Sequence, residues 1–209
     1  MIFRKPPYSG TLTVSSRIFF PFLFLQKSNL RKLFLCALII CHVLIATGQS
    51  YLGAISKQVN FREGPGSEYK TISSLKPGTQ IFIVSLETEY DFYNIIDIRT
   101  NKTGYVHKSF VTIGKQLPKS EDGLFTPNGS TEDYESQIEI FNNTSLTLTL
   151  KLNSQFYSFT PKEKRNIALS PTTYNFIASA PGVIPNYGTE TLQSNTKYTW
   201  QFYIVTRRR

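Results

Sequence analysis

The sequence predicts an all-β chain of two small modules behind an export signal. Three observations carry this reading. Apolar and polar residues alternate with period two over residues 145–153 and 197–205. Short β-branched and aromatic runs recur between turn residues from 55 to 113. No segment beyond residue 48 calls for a helix, so both modules are expected to be sheets.

The chain has 209 residues with 16 Phe and 12 Tyr, and 18% of it is charged. That composition suits one or two globular domains and excludes general disorder. A formal net charge of +9 would suit nucleic acid if it formed a basic face. It does not. Six of the 23 basic residues precede residue 33, where no acid occurs. From Gln49 onward 17 basic residues face 14 acidic ones, and three of the 17 are Arg207, Arg208 and Arg209. The body is nearly neutral without a basic stripe, so nucleic acid is not an expected partner.

The basic excess belongs to residues 1–48, expected to be an N-terminal extension and signal peptide. Arg31 and Lys32 precede an apolar run from Leu33 to Cys41 that resumes after His42 and closes in "IATGQS". A basic start, a short apolar core and a small-residue exit define a secretory signal. Ala46 and Gly48 suit the cleavage site, which would leave Gln49 as the mature terminus. The run of about 14 residues is shorter than the roughly 20 a membrane span needs, so no stable span is expected after cleavage. For residues 1–29, which precede a normal signal, translation starting near Leu30 is one reading. Both cysteines, Cys36 and Cys41, lie in the signal, so the mature chain would have no disulfide and no thiol nucleophile.

Residues 52–113 are expected to form a small barrel. "TQIFIVSL" (79–86) follows the turn Lys76-Pro77-Gly78, "FYNIIDI" (92–98) precedes the polar hairpin loop "RTNKTG", and "YVHKSFVTI" (105–113) carries a turn near Lys108-Ser109. Residues 114–135 lack periodicity, are punctuated by Pro118, Gly123, Pro127 and Gly129, and are expected to be a linker. Residues 136–206 are expected to be a small antiparallel sandwich. "SQIEIF" (136–141) is its first strand, and "SLTLTLKLN" (145–153) alternates Leu against Thr and Lys as a half-buried strand does. "NIALSPTTYNFIASAPG" (166–182) reads as strand, Ser-Pro turn, strand. "KYTWQFYIV" (197–205) alternates Tyr198, Trp200, Phe202 and Ile204 against a second face that is also partly apolar, so it is expected to be central or covered by the linker, with Trp200 in the core.

The stretch "VNFREGPGSEYKTISSL" (59–75) decides between catalysis and binding. A phosphate-cradling loop needs glycines opening a helix, with Lys-Ser/Thr following. Here Pro65 splits Gly64 from Gly66, Glu63 and Glu68 would repel phosphate, and no helical period follows. The two glycines are expected at positive φ. Beyond residue 48 His107 is the one histidine, too few for zinc, and no Gly-x-Ser-x-Gly elbow exists to serve a triad. Glu87, Glu89 and Asp91 cluster, and read as a solvated turn more readily than as a glycosidase pair. No metal, no cofactor and no enzymatic activity are expected.

In order and spacing, Val59-Asn60-Phe61-Arg62, Gly64-Pro65-Gly66, Tyr69, Leu75-Lys76-Pro77-Gly78, Phe92-Tyr93 and Gly104-Tyr105-Val106-His107 resemble the bacterial SH3-like domain. The resemblance implies a five- to seven-stranded barrel with a non-catalytic role, in a family whose members often recognise cell-wall peptides and ride beside peptidoglycan hydrolases. It places the groove aromatics at Tyr69, Phe92, Tyr93 and Tyr105, with Phe92 standing where the family commonly has Trp. Residues 167–205, with Ser170-Pro171-Thr172-Thr173-Tyr174 and Ala180-Pro181-Gly182-Val183, resemble the PEGA-like and transthyretin-like β-sandwich modules of surface proteins. These resemblances imply an exported, non-catalytic protein of the periplasm, envelope or cell exterior, its partner peptidoglycan, a wall peptide or an envelope protein. The alternatives are an interaction subunit of an envelope or secretion assembly, and an unrecognised hydrolase built on Glu87, Glu89 or His107.

Overall fold

The computed structural model describes residues 48–204. The expected export signal and the terminal arginines therefore lie outside the described residues. Within them the regular structure is strand, apart from one 3-10 turn at Lys108–Phe110. No helix among them is long and apolar enough to cross a membrane.

The first module is one antiparallel sheet. Its strands are β1 (Tyr51–Ile55), β2 (Val59–Arg62), β3 (Thr71–Leu75), β4 (Gln80–Ile83), β5 (Phe92–Asp97), β6 (Lys102–His107) and β7 (Val111–Gln116), in the order β3-β2-β6-β5-β4-β1-β7. It coils around Phe61, Ile81, Ile83, Tyr93, Ile95 and Val106. The expected turn near Lys108 is the 3-10 turn between β6 and β7. Its first residue is anchored through the Lys108 N–H to the Asp91 carbonyl at 2.8 Å.

The second module is a sandwich of two four-stranded sheets. It contains β8 (Thr126–Ser130), β9 (Ser136–Asn142), β10 (Leu148–Leu152), β11 (Gln155–Phe159), β12 (Lys164–Leu169), β13 (Thr173–Ser179), β14 (Asn186–Thr191) and β15 (Thr196–Phe202). The sheets run β11-β10-β13-β14 and β12-β9-β15-β8. The alternation read in the sequence is the packing pattern. Ile138 and Ile140 of β9 meet Leu148, Leu150 and Leu152 of β10, all fully buried. β15 is central, but it pairs with β9 in parallel.

Two boundaries differ from the sequence expectation. The strand expected from residue 145 begins at Leu148. The buried Asn142 amide donates to the carbonyls of Leu146, Phe159 and Thr160 at 2.8–3.1 Å, and this holds the approach to β10 as a loop. The stretch expected to be a linker, 114–135, contains the end of β7 and all of β8, and buries Leu117 and Phe125. Its order comes from far along the chain. The buried Glu190 carboxylate accepts from the Leu124 and Phe125 backbone N–H groups, and β8 pairs antiparallel with β15.

Barrel and sandwich share a third apolar cluster. In β4 and β5 the alternation fails because both faces are covered. Ile81, Ile83 and Ile95 point into the barrel, while Phe82, Ile96 and Ile98 join Leu117 and the sandwich residue Tyr187. The Phe82 and Tyr187 rings meet edge-on at 5.8 Å. The Tyr187 hydroxyl donates to the Leu117 carbonyl at 2.8 Å and accepts from the Ser50 N–H at 3.2 Å. The Gly182 N–H donates to the Ile98 carbonyl at 2.7 Å, and the Asn101 amide to the Thr149 hydroxyl at 3.1 Å. Barrel, strap and sandwich thus meet at one phenol.

Removing that hydroxyl strands a buried carbonyl and a buried N–H, which costs about 1–3 kcal/mol. Tyr187→Phe is expected to lower the thermal midpoint by roughly 2–4 °C for each kcal/mol lost in a chain of this size, as read by circular dichroism.

Candidate functional site

The site is built by the pairing of β5 with β6. The register sets Phe92 opposite His107, Tyr93 opposite Val106 and Asn94 opposite Tyr105. Alternate residues of a strand face opposite ways, so Phe92, Asn94, Tyr105 and His107 share the outer face. Tyr93 and Val106 enter the core. Tyr93 is only 9% exposed, which corrects its expected place in the groove. Adjacency in sequence put Phe92 and Tyr93 together, and the pleat separates them.

A cleft of about 550 Å³ opens beside Phe92. Phe92, His107 and Phe110 line it together with Asn60, Arg62, Ser67 and Ser74. His107 joins the two phenyl rings edge-on, 5.2 Å from Phe92 and 6.1 Å from Phe110. The Ser109 N–H donates to His107 Nδ1 at 3.3 Å, and the Ser109 hydroxyl lies 2.8 Å from the same nitrogen. An obligatory donor on Nδ1 leaves the proton of the neutral ring on Nε2. Tyr69 and Tyr105 lie outside the cleft wall. They are close to one another: burial raises the Tyr105 phenol above its ordinary pKa, and the nearby Glu89 and Tyr69 add to the rise.

The β2 end of the cleft is shaped by the loop between β2 and β3, which carries Ser67. The Glu63 N–H donates to the Lys70 carbonyl at 3.0 Å, and Arg62 Nη1 donates to the Tyr69 carbonyl at 2.7 Å. The Gly66 N–H reaches back over Pro65 to the Gly64 carbonyl at 3.0 Å. Gly64 and Gly66 are not among the positive-φ glycines, contrary to expectation. Gly64 is needed for space instead. The Tyr69 ring packs on it, and a Cβ there would overlap the ring.

Among the described residues, Arg62 is the only permanent charge lining the cleft, and no carboxylate lines it. Glu87, Glu89 and Asp91 are exposed, and the Asp91 carboxylate is held by Lys108 Nζ at 2.7 Å. No group of three or more His, Cys, Asp or Glu able to hold a metal occurs among the described residues. The arrangement offers a cluster of edge-on aromatic rings, a cation, and amide and hydroxyl groups, which suits a peptide or another polar ligand with apolar and anionic parts. His107, Phe110, Asn60 and Arg62 were not foreseen as binding residues. The signal for His107 was its two-residue spacing from Tyr105.

With this geometry in hand, comparison with known proteins adds one match. The family model of the bacterial SH3 domain covers residues 57–112. That span runs from the residues before β2 to the start of β7 and contains the cleft. The resemblance of residues 167–205 to PEGA-like modules finds no support in this match. No curated protein matches the chain, and no solved structure does.

The Asp91–Lys108 contact has a pH signature. The hydrogen bond and the charge of Lys108 hold the Asp91 carboxyl below its ordinary pKa. A lowered carboxyl pKa means the fold favours the ionised form. The contact is therefore complete above the usual aspartate range and is lost as pH falls through the lowered value. In an NMR pH titration Asp91 is expected to titrate at lower pH in the wild type than in Lys108→Ala.

Proposed function

We propose that the protein is an exported, non-catalytic envelope-binding module whose barrel cleft takes a peptide of the cell wall. The observation that carries this reading is one cleft lined by Phe92, His107 and Phe110 together with Arg62, within a span that matches a bacterial SH3 domain. Aromatic rings supply apolar contact area to a short peptide, and a guanidinium pairs with its carboxylates. Export rests on the charge and apolar pattern of residues 31–48. The sandwich acts as a spacer that holds the barrel at a fixed attitude through the Phe82–Tyr187 contact.

Co-sedimentation with purified peptidoglycan sacculi tests the reading. Wild-type protein is expected to pellet with sacculi. Phe92→Ala and Arg62→Ala, each first shown to melt cooperatively, are expected to bind about tenfold more weakly, as truncation of a central contact does. A wild type that stays in the supernatant would remove the wall as ligand and favour a partner protein.

A further inference from the structure

The hairpin tip before β5 is strained in a way that stability does not explain. Glu89 and Phe92 exchange backbone hydrogen bonds at 3.0 and 2.9 Å, leaving Tyr90 and Asp91 as the central pair. Their φ values are +48° and +66°. A two-residue turn with both residues left-handed favours Asn-Gly, and a bulky residue there meets steric resistance. The conformation persists because the neighbours fix it. The Lys108 N–H binds the Asp91 carbonyl at 2.8 Å, and Lys108 Nζ binds the Asp91 carboxylate. What the neighbours do not hold is the Tyr90 ring. At 82% exposed, it is the most exposed large apolar side chain among the described residues.

The strained turn thus presents an aromatic ring to water, two residues from the cleft residue Phe92 and clamped beside His107. Strain kept at such a place points to function. The charges around it are also divided. Arg62 lines the cleft, whereas Glu89, next to Tyr90 in the chain, lies near Tyr105 and outside the cleft lining. Resting on the proposed reading of the cleft, we infer that Tyr90 is a ligand-contacting residue. With Glu89 it takes an ammonium-bearing side chain of a peptide whose carboxylate lies against Arg62. A phenol face and a carboxylate together suit an ammonium group. The turn is the device that keeps the ring out of the core and available.

Calorimetric titration of the purified protein with soluble peptidoglycan fragments tests this, using fragments with a free side-chain amine and the same fragments after N-acetylation. Tyr90→Asn is expected to melt above wild type, because Asn accepts the left-handed region, yet to bind the free-amine fragments about threefold to fivefold more weakly. Tyr90→Phe, which keeps the ring, is expected to bind as wild type does. Acetylation is expected to weaken wild type and to abolish the difference between wild type and Tyr90→Asn. Undiminished binding by Tyr90→Asn would overturn the inference. If Arg62→Ala lost binding in the same series, the cleft reading would survive without Tyr90. No binding by wild type would overturn both.

Discussion

β4 and β5 are apolar on both faces, and the rest of the structure depends on covering the second face. Phe82, Ile96 and Ile98 would stand in water if the barrel were alone. Two modules of this size each bury a limited share of their surface, so a third cluster between them matters to both. Tyr187 closes it. Its ring packs on Phe82, and its hydroxyl ties the segment after β7 at Leu117 to Ser50, the residue before β1. A single phenol therefore joins three parts of the sequence that propensity alone would leave independent.

The same pairing that needs this cover also defines the open site. Along the outer face of β5, Ile96 and Ile98 go under the sandwich, while Phe92 stays uncovered with His107 opposite it. The sheet is thus divided lengthwise into a docking end and a cleft end. Because the docking end is fixed, the cleft and the hairpin tip at Tyr90 are presented from a rigid base, the condition under which exposed aromatic residues bind at small entropic cost.

Much of this fold was legible where the signal is local. The alternation in β10 showed its core face, the partly apolar second face of β15 marked it as central, and Ser170-Pro171 marked the turn between β12 and β13. β8 was not legible. "TPNGS" has no apolar period, and it is ordered by β15 and by Glu190, more than sixty residues away. The site was legible in part. Phe92 was identified by its family position and lines the cleft, but Tyr93 was assigned by adjacency, and only the phase of the pleat shows that it faces inward. Gly64 was read as a backbone requirement, whereas its neighbour Tyr69 is what demands it. The clue to the interface was already present in "IIDI", where the adjacent Ile95 and Ile96 break the alternation and imply cover on both sides.

The central claim is that barrel and sandwich are one cooperative unit joined through Tyr187. Differential scanning calorimetry of the wild-type protein tests it most directly. The account predicts a single transition in which the calorimetric and van't Hoff enthalpies agree. Two separable transitions, or a calorimetric enthalpy near twice the van't Hoff value, would mean that the modules unfold independently and would contradict it.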